Sequence, residues 1–226
     1  MKKIIFTLLS TTSMLVFGQN EGTAVYEMSI EGLPPEQASM MGDMTMKIVW
    51  KGDKSYFEQS SMMYEIKSVT DENGTLMLMD QMGNKYYMKY NPEELKKESD
   101  KGSAPEYKIE QTNETKKIAG YDCKKAIVTT KTKDGKELKI DIWYTDKIPN
   151  YYAKQKNTTR RNQDMSYLKS INGMPMEYTI PQGQMTIKVT AKEVNFNPVS
   201  DDIFKLSTDG YTEIKPDDLK KMRGGQ

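Results

Sequence analysis

The chain has 226 residues, with 33 Lys and Arg against 32 Asp and Glu, one Cys and no His. So even a balance argues against nucleic acid or an anionic membrane as the main partner. The missing imidazole excludes Ser-His-Asp and Cys-His arrangements and nearly all catalytic zinc sites, and the lone thiol, Cys123, excludes an intramolecular disulfide.

Lys2 and Lys3 precede a short apolar stretch, Ile4 to Phe17, that closes on Gly18. This is the layout of a secretory signal peptide over residues 1–18, and the run is too short for a comfortable membrane span. No Cys stands at its end, so lipidation is not expected. The expected protein is periplasmic or secreted, from a Gram-negative-type envelope, and not integral to the membrane. Residues 19–213 are expected to form a single domain, and residues 214–226, rich in Lys, Asp and Gly, a mobile tail.

Strands separated by tight turns dominate the mature chain. Residues 23–30 alternate, with Tyr26, Met28 and Ile30 on one face. Residues 43–51 alternate more clearly, with Met44, Met46, Ile48 and Trp50 on one side and Asp43, Thr45, Lys47 and Lys51 on the other. Period two predicts half-buried strands. Gly52-Asp53, Asn73-Gly74, Gly83-Asn84, Asp134-Gly135 and Gln182-Gly183 carry hairpin chemistry, because Gly, Asn and Asp supply positive φ angles. They connect predicted strands over 54–60, 61–70, 75–82, 85–90, 121–132, 136–145, 176–180 and 184–196. So many reversals predict an antiparallel meander.

Three stretches interrupt it. Residues 33–42 hold Pro34-Pro35 and fit a loop or a short helix. At 91–104, Asn91 is a candidate cap, Pro92 suits the first helical position, and Glu93 and Glu94 suit the first turn. Residues 146–173 carry Pro149, then a predicted helical stretch RRNQDMSYLKSI, and stop at Asn172-Gly173. Asp201-Asp202 is expected to cap a short turn before Ile203-Phe204. Asp71-Glu72-Asn73-Gly74 lacks the ligand alternation of a calcium loop and is expected to be a turn.

Two segments are apolar on both faces. Leu76 and Leu78 oppose Met77 and Met79; Leu138, Ile140, Ile142 and Tyr144 oppose Trp143. Such strands need cover on both sides, or cover on one and a cavity on the other. The mature chain also carries 16 of the 18 Met, in sets such as Met40, Met41, Met44 and Met46. Methionine fills ordinary cores, lines adaptable apolar cavities, and in an oxidising compartment ligates Cu(I). Cys123 reads as a small buried hydrophobe.

The segment Thr115–Val128, which contains Ile-Ala-Gly-Tyr-Asp-Cys, resembles an uncharacterised exported envelope family related to GLPGLI-type proteins. So do Trp143-Tyr144-Thr145 with Pro149, the turn at Gly173-Met174-Pro175-Met176, and Asn197–Phe204 with Gly210-Tyr211. That family is distantly similar to lipoprotein carriers of the LolA/LolB type. The resemblance implies an α+β, mainly antiparallel fold: a strongly curved sheet, an incomplete barrel, with a few short helices covering its concave side.

The function expected is non-catalytic binding of an apolar ligand: an acyl chain, a lipid or a lipidated envelope protein. Met44, Met46, Ile48, Trp50, Met77, Met79, Tyr86, Met88, Ile142 and Tyr144 are the candidate cavity lining. No catalytic residue, cofactor or nucleic-acid partner is expected. The alternatives are a Cu(I)-binding protein using Met40, Met41, Met44 and Met46, and an interaction module with its cavity plugged.

Overall fold

The computed structural model describes residues 20–34, 36, 37, 39, 42–94, 106–131, 135–154, 166–182 and 185–215. The expected signal peptide at 1–18 lies outside the described residues, as do Met40, Met41, residues 95–105 and 155–165, and the tail from residue 216 onward.

The described residues form a twelve-stranded sheet: β1 (Glu21–Glu31), β2 (Met44–Lys51), β3 (Lys54–Ser60), β4 (Tyr64–Asp71), β5 (Gly74–Gln81), β6 (Asn84–Tyr90), β7 (Tyr107–Ile118), β8 (Tyr121–Lys131), β9 (Glu137–Thr145), β10 (Met174–Gln182), β11 (Met185–Asn195) and β12 (Thr212–Glu213). The spatial order is β12-β6-β5-β4-β3-β2-β1-β11-β10-β9-β8-β7. Two meanders, β2–β6 and β7–β11, are thus joined by β1, which pairs antiparallel with both β2 and β11. Only β12 runs parallel to its neighbour, β6. The sheet is strongly curved and open. Irregular registers at Val25/Tyr26, Gln111/Thr115 and Pro175/Glu177 lie along it, and such bulges bend a strand and raise its twist.

Gly52-Asp53 forms the expected turn between β2 and β3, and two other turns are shifted by one residue; Asp134 and Gly183 of the remaining two lie outside the described residues. Between β4 and β5 the turn residues are Glu72 and Asn73, closed by the Asn73 N–H donating to Asp71 Oδ1 at 2.8 Å. Gly74 is already the first residue of β5. Between β5 and β6 the turn residues are Met82 and Gly83, with φ of 52° and 86°, and Asn84 opens the next strand. Strand β7 is absent from the sequence reading: with few apolar positions its alternation is weak, and most of it is exposed.

The inward face of β1, β2 and β8–β11 holds the main core. Tyr26, Met46, Ile48, Ile142, Met176, Tyr178 and Val189 pack there with Tyr151, Tyr167, Leu168 and Ile171 from the connection that follows β9. That connection contains a helix, α1 (Tyr151–Lys154), and a 3-10 turn at Ser166–Ser170. Of the helix expected over residues 160–171, the described end forms the 3-10 turn at Ser166–Ser170, and residues 160–165 lie outside the described residues. Asn150 pins α1 and this turn together. Its Oδ1 accepts from the Tyr152 N–H at 2.9 Å, and its Nδ2 donates to the carbonyls of Leu168 and Ile171 at 2.7 and 2.8 Å. Burying a Leu or Tyr of this size stabilises by about 1.5–3 kcal/mol each, so the cover is held mainly by its apolar side chains.

A second, smaller core lies on the outward face. Val49, Tyr56 and Val69 are covered by Val199, Ile203, Phe204 and Leu206 of the segment after β11. The cap of its 3-10 turn (Asp201–Phe204) is Ser200, whose Oγ accepts from the Asp202 N–H; Asp201 and Asp202 occupy the first turn instead of capping it. Asn91 does cap as expected, in a reciprocal pair: its Oδ1 accepts from the Glu94 N–H at 2.8 Å and Glu94 Oε2 accepts from the Asn91 N–H at 3.1 Å.

Candidate functional site

In an antiparallel ladder, residues directly opposite each other present their side chains on the same face. The registers therefore draw rows across β2–β6. One runs Ile48, Phe57, Ser68, Met77, Met88; the next runs Met46, Gln59, Ile66, Met79, Tyr86. Both start in the main core, where Met46 and Ile48 are 6% and 1% exposed. Further out, Phe57, Ile66, Met77, Met79 and Tyr86 are half-buried. Phe57 still packs on the main core, whereas Met77, Met79, Tyr86 and Met88 belong to neither core cluster. Met88 is 2% exposed, and its sulfur accepts from the Tyr90 hydroxyl at 3.5 Å.

The ten expected lining residues thus divide. Met44, Met46, Ile48, Trp50, Ile142 and Tyr144 are packed inside the main core, none more than 6% exposed. Trp50 lies 5.8 Å from the Tyr151 ring and 6.1 Å from the Phe196 ring. Met77, Met79, Tyr86 and Met88 form a separate group on the wing made by β3–β6. Phe57 and Ile66 belong with them and escape the sequence reading, because each is isolated within a polar strand. The hairpin turns fix the registers that bring them into line.

Polar groups lie within the rows and beside them: Gln59 stands between Met46 and Ile66, and Ser68 between Phe57 and Met77. Gln59 Nε2 donates to the Tyr64 hydroxyl at 2.6 Å, and the Thr70 and Thr75 hydroxyls share a hydrogen bond of 2.9 Å. Each of these pairs gives its members a hydrogen-bond partner.

A cleft of about 510 Å³ opens at the end of β1 and β2, with Met28, Ile30, Leu33, Gly42, Met44 and Lys192 among its lining. Of the ten candidates only Met44 reaches it. Lys192 pairs with Glu27 at its edge.

Of the alternative copper set, Met44 and Met46 occupy successive inward positions of β2 and are buried in the core; Met40 and Met41 lie outside the described residues. Among the described residues no group of three or more His, Cys, Asp or Glu is placed to hold a metal ion. Cys123 is fully buried, its Sγ donates to the Tyr121 carbonyl at 3.5 Å, and burial pushes its thiol pKa up. Trp143 is on the outward face, with Lys116 Nζ 4.3 Å and Lys125 Nζ 5.8 Å from its ring. Both lysines are also tied to carboxylates, Lys116 to Glu177 and Lys125 to Asp141.

Residues 45–156 match the family model of the N-glycanase peptide, N-terminal domain. No curated protein matches the chain. Among solved structures the chain is similar to PNGF-II at 18% identity and a TM-score of 0.46, over 91% of this chain and 34% of that one. The chain therefore spans about a third of the length of PNGF-II. It is also similar to a β-barrel-like protein of the domain of unknown function DUF1849 from Brucella abortus, at 8% identity and a TM-score of 0.34, over 77% of this chain and 97% of that one. A third is an outer membrane lipoprotein-sorting protein domain from Vibrio parahaemolyticus, at 10% identity and a TM-score of 0.29, over 84% and 91% of the two chains. Among the described residues no helix is long and apolar enough to cross a membrane.

Proposed function

We propose that the protein is a non-catalytic binding module of the bacterial envelope that takes an acyl chain or lipid along the wing of its sheet. The observation that carries this is the pair of rows on β3–β6: Phe57, Ile66, Met77, Met79 and Tyr86 are apolar, aligned and only half-buried, on the face whose other half is closed by α1 and the 3-10 turn. At about 4.8 Å between strands, three spacings give a track roughly 15 Å across. Each methylene removed from water along it contributes about 0.8 kcal/mol. Several methylenes therefore supply useful affinity with no polar anchor, and methionine adapts its shape to an irregular chain.

The chain offers little for catalysis. It has no histidine, and the carboxylates flanking the wing are engaged with lysines, Asp80 with Lys85 and Glu65 with Lys67. The matching family model describes an N-terminal domain and not a whole glycanase, which agrees with an accessory binding role. Export to the periplasm or beyond follows from the layout of residues 1–18.

Organic extraction of protein purified natively from the envelope, followed by mass spectrometry, tests the reading. A lipid or fatty acid recovered in near-stoichiometric amount supports it. A clean extract, together with no uptake of added fatty acid, favours a self-plugged interaction module.

A further inference from the structure

Apart from the two-residue β12, the sheet is bounded by β6 on one side and β7 on the other. The β6 edge carries a cover: Thr212 and Glu213 of β12 pair with Tyr86 and Tyr87, and the Ile214 N–H donates to the Tyr87 carbonyl at 3.0 Å. Strand β7 is last in the order, and among the described residues no strand pairs with its far edge. Such an edge is a row of N–H and C=O groups ready to template another strand, and proteins defend it with bulges, Pro or clustered Lys. The second half of β7 has these defences: its register is irregular between Gln111 and Thr115, and Lys116-Lys117 follows. The first half, residues 107–111, stands in regular register with residues 126–130 and has no bulge, no Pro and no run of like charge.

Which backbone groups face that edge follows from the hairpin. The Ala119-Gly120 turn is closed by the pair Ile118–Tyr121. A closing pair exchanges hydrogen bonds, and such pairs alternate along an antiparallel ladder. Odd-numbered residues of β8 therefore turn their backbone toward β7. The Lys125 carbonyl does so where it accepts from the Thr112 hydroxyl at the bulge. Lys108 and Glu110 stand opposite Thr129 and Ile127 and bond to β8. Tyr107, Ile109 and Gln111 then turn their N–H and C=O groups to the open edge. Their side chains are already fixed: Tyr107 shares a 2.8 Å hydrogen bond with Ser170, Ile109 packs on the main core, and Gln111 Oε1 accepts from the Tyr144 hydroxyl. This order lowers the cost of pairing. Lys108 and Glu110 point the other way, with side chains 74% and 53% exposed.

We propose that a second copy of the chain pairs antiparallel with this edge, about a two-fold axis at Ile109. In that register Ile109 faces its own copy, Tyr107 faces Gln111, and Lys108 faces Glu110 on both sides of the axis. Tyr107, Ile109 and Gln111 each donate and accept across it. Opposite charges directly across a ladder stabilise it, and like charges destabilise it. Within one chain Lys108 and Glu110 are already paired at 2.6 Å, so in the dimer their charges alternate in sign around the axis. The segment is its own complement, with Lys on one side of Ile109 and Glu on the other. An axis at Gln111 would drive the bulge into the partner, and one at Tyr107 would carry the pairing out past the start of β7. The interface lies at the opposite end of the strand order from the wing.

The test is sedimentation equilibrium of the full mature protein, for the wild type, for Lys108→Glu and for Glu110→Lys. Both side chains are exposed, so both variants should melt like the wild type. The proposal expects a wild-type dimer. In either variant like charges meet on both sides of the axis, and the dimer should dissociate about tenfold more readily or beyond. Mixed in equal amounts, the two variants should form a heterodimer as tight as the wild type, because one chain then offers carboxylates at both positions and the other ammonium groups. The difference between wild type and variants should shrink at roughly 0.5 M salt, where surface charges are screened. A wild type that stays monomeric up to about 0.5 mM would overturn the proposal. So would a dimer that neither variant weakens, or variants that fail to recover on mixing.

Discussion

Tyr26 in β1 donates its hydroxyl hydrogen bond to the carbonyl of Pro175 in β10, 149 positions later, at 3.0 Å, and has no exposed surface. The bond crosses β11 and ends at the irregular register of β10, so the strand that joins the two meanders is anchored inside the filled half of the sheet. Tyr178 lies close by and shares a 2.9 Å hydrogen bond with Tyr152 from α1. That half is filled at its centre, with the cleft of about 510 Å³ at the end of β1 and β2 on its border, lined in part by Tyr26 itself.

Tyr26→Phe leaves the buried Pro175 carbonyl without its partner. The expected loss is about 1–2 kcal/mol, read as a lower urea midpoint with an unchanged slope. Acyl-chain affinity should not move, because the substitution is outside the wing.

Gly74→Ala acts on the wing. Gly74 has φ of +125°, and an added Cβ would stand 2.0 Å from the Tyr90 carbonyl oxygen. Backbone strain and that collision together are expected to destabilise by about 2–4 kcal/mol, through displacement of β5 against β6. Hydrogen exchange of β4–β6 amides should quicken more than that of β8–β11.

Alkaline pH should unfold the core. Burial raises the hydroxyl pKa values of Tyr26, Tyr152 and Tyr178 above the usual tyrosine range, and that of the Cys123 thiol above its own. Groups raised in the folded state hold their full stabilisation below their unfolded values, near 8.5 for Cys and about 10 for Tyr, and lose it as pH rises above them. Stability should be level through neutral pH and fall from roughly pH 9 upward. Burial and the hydrogen bond to Glu58 raise the Tyr56 hydroxyl in the same way, so in an absorbance titration of tyrosinate at least these four of the 14 tyrosines should ionise only as the chain unfolds. A single reversible step for all of them, with native circular dichroism retained, would contradict this.

The outward strap has an ionic clasp. Lys51 Nζ donates to the Val199 carbonyl at 2.8 Å and pairs with Asp201 at 3.0 Å, while Glu21 Oε2 accepts from the Val199 N–H at 3.1 Å. Lys51→Ala should cost only about 0.5–1 kcal/mol, since the clasp is largely exposed. Hydrogen exchange should nonetheless quicken at Ile203, Lys205 and Ile214. Hydrogen bonds from Lys51 and Lys205 hold the Asp201 and Asp202 carboxyls below the usual range. Their contribution is present above about pH 4 and lost as pH falls through the lowered values, so acid should loosen the same amides.

Much of the fold is legible in the sequence, for local reasons. Alternation in 43–51 and the glycine turns are properties of a few adjacent residues, and they place most strands within two residues. Strand β7 is hidden because its pairing with β8, not its own pattern, makes it a strand. The described end of the helix expected over 160–171 is a 3-10 turn that Asn150 holds against α1, a long-range arrangement that periodicity does not encode. The site is half legible. Met77, Met79 and Tyr86 stand out through the alternation and two-faced character of their strands. Met44, Met46, Ile48 and Trp50 look the same in sequence, yet they are covered by Tyr151, Tyr167 and Leu168 from far downstream. Which apolar face is roofed depends on where the cover lands.

The central claim is that the half-buried rows of β3–β6 take an acyl chain. Titration of the mature protein with a fluorescent fatty acid, for the wild type and for Met77→Ser combined with Met79→Ser, tests it most directly. The account predicts saturable binding by the wild type and affinity lower by about ten- to a hundredfold in the variant, with Tyr26→Phe binding like the wild type. Equal binding by the wild type and the Met77/Met79 variant, or none by either, would contradict it.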